Sequence, residues 1–75
     1  MEEVLRNILE SLVDNKKAIS IKVRQEDGKD IYTVRVAPED GGKIIGRQGK
    51  IAKAIKTLSK ALGAKEGRRV EIEFP

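Results

Sequence analysis

The chain has 75 residues, a net charge of +4, and neither cysteine nor histidine. One small domain spanning residues 1–75 is the expectation, with a thin core, because a chain near 60 residues buries only about 60% of its unfolded surface. The missing residues exclude disulfides, thiolate chemistry and the usual zinc sites. No apolar run approaches the roughly 18 residues of a membrane span, and the opening MEEVLRN is acidic where a signal peptide is basic. A cytoplasmic protein with no membrane attachment and no metal or cofactor is the expectation.

The first segment, EEVLRNILESLV, carries Val4, Leu5, Ile8, Leu9, Leu12 and Val13 at the spacing of an amphipathic helix. Glu2 and Glu3 favour its positive end, and Asp14-Asn15 end it. AISIKVRQEDGKDIYTVRVA follows as a β-hairpin with Asp27-Gly28 as a two-residue turn. Counting outward from that turn sets Val23 against Tyr32, Ile21 against Val34, and Ile19 against Val36. All six point to one face, and a slip of one residue would scatter them.

Pro38 stops the pairing, and Asp40 is the candidate N-cap of a short helix ending before Gly46. A longer helix starts after Gly49, with Ile51, Ala54, Ile55, Leu58, Ala61 and Leu62 as its apolar face. On that reading Lys53, Lys56 and Lys60 point almost opposite, into solvent. Gly63 is the candidate stop. RRVEIEFP then alternates Val70, Ile72 and Phe74 inward with Glu71 and Glu73 outward, a last strand.

The order is α-β-β-α-α-β, an α+β fold. A right-handed helical crossover makes the second and third strands parallel neighbours, with the first strand antiparallel beyond the second. Three helices then cover one face of a three-stranded mixed sheet.

Charge is uneven along this order. Residues 1–40 hold seven basic residues against nine acidic ones, whereas residues 41–75 hold nine against three. Such asymmetry points to a side that binds a polyanion. Its centre is the stretch IIGRQGKIAKAI. Two glycines three apart can be a plain turn. Here the turn also opens a helix, where free amides at residues 49–52 and the positive helix end favour an anion. Gly46 and Gly49 let a sugar-phosphate chain come close to the backbone, and Lys43, Arg47 and Lys50 flank it. Ile44, Ile45 and Ile51 offer an apolar floor, although at least one of them must pack in the core.

These residues resemble the KH domain, whose pattern is I-G-x-x-G-x-x-I. Ile45, Gly46 and Gly49 occupy its first three fixed positions, and Ala52 stands where the family has isoleucine. The element order is similar to the type II KH fold. The stretch VAPEDGGKIIGRQGKIAKAIKTL with an early SLVDN narrows the resemblance to the KhpA family of small bacterial KH-domain RNA-binding proteins, relative to which Gly41 replaces a larger apolar residue. The resemblance implies single-stranded RNA held at Lys43, Ile45, Gly46, Arg47, Gln48, Gly49, Lys50 and Lys53. It also implies self-association as a homodimer, pairing with a larger KhpB-like protein, and a role as an RNA chaperone or post-transcriptional regulator.

Two rival classes are weighed against this one. An enzyme is disfavoured, since no histidine or cysteine is present for acid-base work and the carboxylates fall on turns, caps and outward faces. A protein-interaction module in which RNA is secondary is the alternative, resting on the lysine stripe and the polar sheet face.

Overall fold

The computed structural model describes residues 1–75. Helix α1 (Glu2–Leu12) is followed by strands β1 (Ser20–Glu26) and β2 (Lys29–Arg35). Helix α2 (Gly41–Ile45), helix α3 (Lys50–Lys65) and strand β3 (Arg69–Glu73) complete the order. The sheet runs β1-β2-β3, with β1 antiparallel and β3 parallel to β2. This is the expected α-β-β-α-α-β arrangement, a type II KH fold.

The hairpin takes the register that its turn demands. Ile21 pairs with Val34, Val23 with Tyr32, and Glu26 with Lys29. Asp27 and Gly28 both hold positive φ, 53° and 76°, which a two-residue turn matched to strand twist requires. Tyr32 and Val34 are buried, while Val23, midway along the edge strand β1, is 47% exposed. On the same face Asp30 is buried, held by the Arg68 guanidinium (Nε–Oδ2 2.6 Å) and by Gln25.

The core lies between the sheet and the helices. Leu5, Leu9 and Val13 from the N-terminal segment meet Ile44, Ile55, Tyr32, Val34, Val70 and Ile72. Three sequence expectations need correction. First, α3 is turned about its axis. Its buried residues are Ala52, Ile55, Ser59 and Gly63, while Ala54, Leu58 and Ala61 are exposed. At Gly63 the helix lies very close to β3. A methyl group on Gly63 would overlap Val70 Cγ2 and sit 3.2 Å from the Arg68 carbonyl oxygen.

Second, Gly63 therefore does not stop α3. The helix runs on to Lys65, and Gly67, at φ 73°, ends it. The Arg68 amide donates to the Gly63 carbonyl and the Gly67 amide to Ala64, the paired closure of a Schellman motif. Third, Asp40 makes no side-chain cap on α2. Its fully buried carboxylate instead accepts the amides of Asp14 (3.2 Å) and Asn15 (3.0 Å), tying the end of α1 to the start of α2.

Candidate nucleic-acid interface

The loop from Gly46 to Gly49 joins α2 to α3 through a left-handed backbone. Gly46 and Gly49 both have φ of 72°, and Gln48 between them has φ of 58°. The two glycines serve different ends. A Cβ on Gly46 would come 2.6 Å from Ile51 Cγ1, so that position must be bare for the loop to close over α3. A Cβ on Gly49 would meet open space; there the positive φ alone asks for glycine. Gln48 holds a conformation that costs an ordinary residue about 1–2 kcal/mol.

The Gly46 amide donates to the Gly42 carbonyl at 2.9 Å, and the Gly49 amide to Gly46 at 3.3 Å. The Lys50 amide turns back to Arg47. Of the amides expected free at residues 49–52, the first two are therefore spent inside the loop. What an anion meets is the remaining helix start together with the loop side chains. Arg47, Gln48 and Lys50 are exposed, and neither cation has an acidic partner. Lys53 extends this free positive surface by one turn along α3.

Lys43 is placed differently. It is ion-paired with Asp14 and lies 3.4 Å from Asp40 Oδ1, so two carboxylates already meet its charge. The Asp14 contact raises the Lys43 pKa, and the Asn15 and Asp14 amides with Lys43 hold Asp40 below the usual carboxylate range against the opposing cost of burial. This brace fixes α2, and thus the loop, against α1.

The three isoleucines divide their labour. Ile44 is core, Ile51 is half-buried beneath Gly46, and Ile45 is 44% exposed beside the loop. A cavity of about 290 Å³ begins at Ile45 and is lined by Val34, Val36, Gly41 and Phe74 among others. Gly41 has open space around a notional Cβ. Ala52 is buried where the KH pattern has isoleucine.

Five neighbouring residues fall outside the expected site. Val36 and Phe74 wall this apolar cavity, and Lys56, Lys60 and Arg69 lie along the line where α3 meets β3. Lys56 Nζ stands 5.9 Å from the centre of the Phe74 ring. The signal for the lysines was present in their i, i+4 spacing, but placing them required the correct rotation of α3.

A βααβ core preceded by one helix and one strand, with G-x-x-G between its two helices, defines a type II KH domain. The family described as KhpA/KhpB, KH domain, matches residues 2–74, and the chain belongs to it. The RNA-binding protein KhpA of Caldanaerobacter subterraneus is 45% identical over 74 residues, 99% of each chain. That of Clostridium acetobutylicum is 44% identical over 74 residues, again 99% of each. The KhpA of Borreliella burgdorferi is 44% identical over 72 residues, 96% of this chain and 88% of that one. Among solved structures, an Era protein of Aquifex aeolicus crystallised with GDP and aluminium fluoride shares the fold, with a TM-score of 0.65 over 96% of this chain at 21% identity. This chain spans 28% of that one.

Proposed function

We propose that this protein binds single-stranded RNA, with the Gly46–Gly49 loop clamping the backbone and the apolar cavity at Ile45 receiving bases. One observation carries the reading: a positive-φ loop at the head of α3 presents Arg47 and Lys50, both without acidic partners, beside an apolar groove. KH modules hold about four nucleotides in this way. The printed names of the relatives, RNA-binding protein KhpA, support it. Lys43, Ile45, Gly46, Arg47, Gln48, Gly49, Lys50 and Lys53 form the proposed contact set, with Lys43 acting mainly by bracing α2.

The role is binding, not catalysis. Asp30 and Asp40, the two buried carboxylates, are held ionised by hydrogen-bond donors, an arrangement suited to structure and not to proton transfer. Within the cytoplasm, the setting we infer, such a module serves as an RNA chaperone or post-transcriptional regulator together with a KhpB-like partner. The exposed apolar flank of α3 at Ala54, Leu58 and Ala61 supports self-association and such pairing, because a contiguous apolar strip invites a covering surface. It is also what favours the second reading, an assembly module in which RNA is secondary.

Fluorescence anisotropy at fixed salt separates the two readings. Single-stranded oligonucleotide should bind more tightly than duplex of the same sequence, with log affinity falling against log salt at a slope near −2 for about three phosphates. Equal binding to single strand and duplex would overturn the RNA groove.

A further inference from the structure

Between the C-terminal half of α3 and the start of β3 lies a second, larger cavity of about 620 Å³. Its walls carry five cations, Lys29, Lys56, Lys60, Arg68 and Arg69, and one acid, Glu71. Two of the cations are already engaged, Lys29 with Glu71 at 3.8 Å and Arg68 with Asp30. Lys56, Lys60 and Arg69 have no acidic partner. Unpaired cations gathered around one concavity repel, and an anion placed among them relieves that repulsion.

The cavity lies in line with the loop. Residues 56, 60 and 64 share one line of the helix surface, and Lys53 sits between that line and the loop. Lys60 is eleven residues beyond Gly49, so the cavity is about 16 Å down the helix axis from the loop. A chain leaving the loop along the seam between α3 and β3 passes Lys53 and Lys56 before it reaches Lys60 and Arg69.

We propose that this cavity is a second phosphate site on the same RNA, set by Lys60 and Arg69, so that the protein binds stretches longer than the loop alone can hold. The inference rests on the RNA reading given above. An acidic peptide is the other polyanion that such a cavity would take. RNA is favoured by the unbroken line of unpaired cations from Arg47 and Lys50 through Lys53 and Lys56.

The test compares fluorescein-labelled uridine tetramers and octamers on the full chain. An octamer offers a four-nucleotide site about five registers, so registration alone gives at most about a fivefold gain. A second phosphate site should give more than about tenfold. Lys60→Glu with Arg69→Glu should abolish that excess, leave tetramer binding within about twofold, and flatten the octamer salt slope by about 1.4. Lys60→Gln with Arg69→Gln, a gentler pair at two exposed positions, should reproduce a smaller loss, and melting curves check that both variants fold. An octamer gain of fivefold or less in the wild type would overturn the proposal, as would a gain that survives charge reversal. Displacement of bound oligoglutamate, but not of the octamer, by the charge reversal would also overturn it and assign the cavity to a protein partner. Absence of binding to either oligonucleotide would fell the RNA reading itself.

Discussion

The two flanks of α3 are built from opposite chemistry, and neither is the face that the core uses. One flank carries Lys53, Lys56 and Lys60, the last two beside β3; the other carries Ala54, Leu58 and Ala61 into the open. Between them Ala52, Ile55, Ser59 and Gly63 lie buried on the sheet. Hydropathy alone would bury Leu58 and expose Ser59. The helix is turned the other way, with Ser59 and Ile55 inward, and at Gly63 it comes so near Val70 that no side chain fits. The exposed leucine follows from that turn of the helix, which leaves one flank cationic and the other apolar.

The largest expected effect tests the rotation of the helix itself. Ile55→Ala should destabilise the fold by about 3 kcal/mol, a fall in melting temperature of well over 10 °C for a domain of this size, where each kcal/mol is worth about 4–8 °C. Gly63→Val should do comparable damage by forcing α3 off β3, since no rotamer avoids Val70 and the Arg68 carbonyl together. If either variant melts like the wild type in a thermal scan followed by circular dichroism, the buried face has been misassigned and the two flanks lose their meaning.

Next in size is the loss of RNA binding at the head of the lysine flank. Arg47→Asp with Gln48→Asp keeps both glycines, and aspartate tolerates the left-handed backbone that residue 48 holds. Acids near a helix start are also favoured, so the fold should survive. RNA affinity should fall at least tenfold, about 1.4 kcal/mol, in anisotropy titrations, while association through the Leu58 flank persists. Unchanged RNA affinity in a folded double variant would reduce the loop to a turn.

A smaller effect concerns what holds the lysine flank in register with α2. Asp40 is fully buried, and its pKa is depressed chiefly by the Asn15 amide, then by Asp14 and Lys43. A depressed carboxylate stabilises the fold above its unfolded pKa and loses that contribution as pH falls through the lower, folded value. Asp40→Asn should therefore melt below the wild type at pH 7, and the gap should narrow as pH drops below about 4. A gap that stays constant down to pH 2 would mean that the Asp40 charge contributes nothing to the brace.

How legible all this was depended on whether the relevant forces are local. The hairpin register could be counted, because Asp27-Gly28 and strict alternation constrain each other. The G-x-x-G loop and its cations were equally visible, as they lie within a dozen residues. The face of α3 was not, since hydropathy does not encode how near a helix sits to its sheet. Gly63 and Gly67 are four residues apart and both suit a helix end; only the second is followed by the closure from Arg68. Asp40 read as a local cap because its true partners lie 25 and 26 residues earlier. Phe74 and Arg69 come to lie beside α2 and α3 only through the parallel pairing of β3, a long-range event.

The smallest effect on folding is the most informative about the apolar flank. Leu58 is 47% exposed, so Leu58→Ser removes little buried surface and should change the stability of the isolated monomer by no more than about 0.5 kcal/mol. That near-silence contrasts with Ile55, three residues away on the same helix. If the flank is covered by a second copy or by a KhpB-like partner, the same substitution places a polar group in an apolar interface and should weaken association markedly. Sedimentation velocity across a concentration series reads this directly, with the wild type shifting toward a dimer and the variant staying monomeric at the same concentrations. RNA affinity for the tetramer should be unmoved, because the lysine flank lies on the other side of the buried stripe. A variant that loses RNA binding and association together would show that the two flanks act as one surface and that the comparison between them is mistaken.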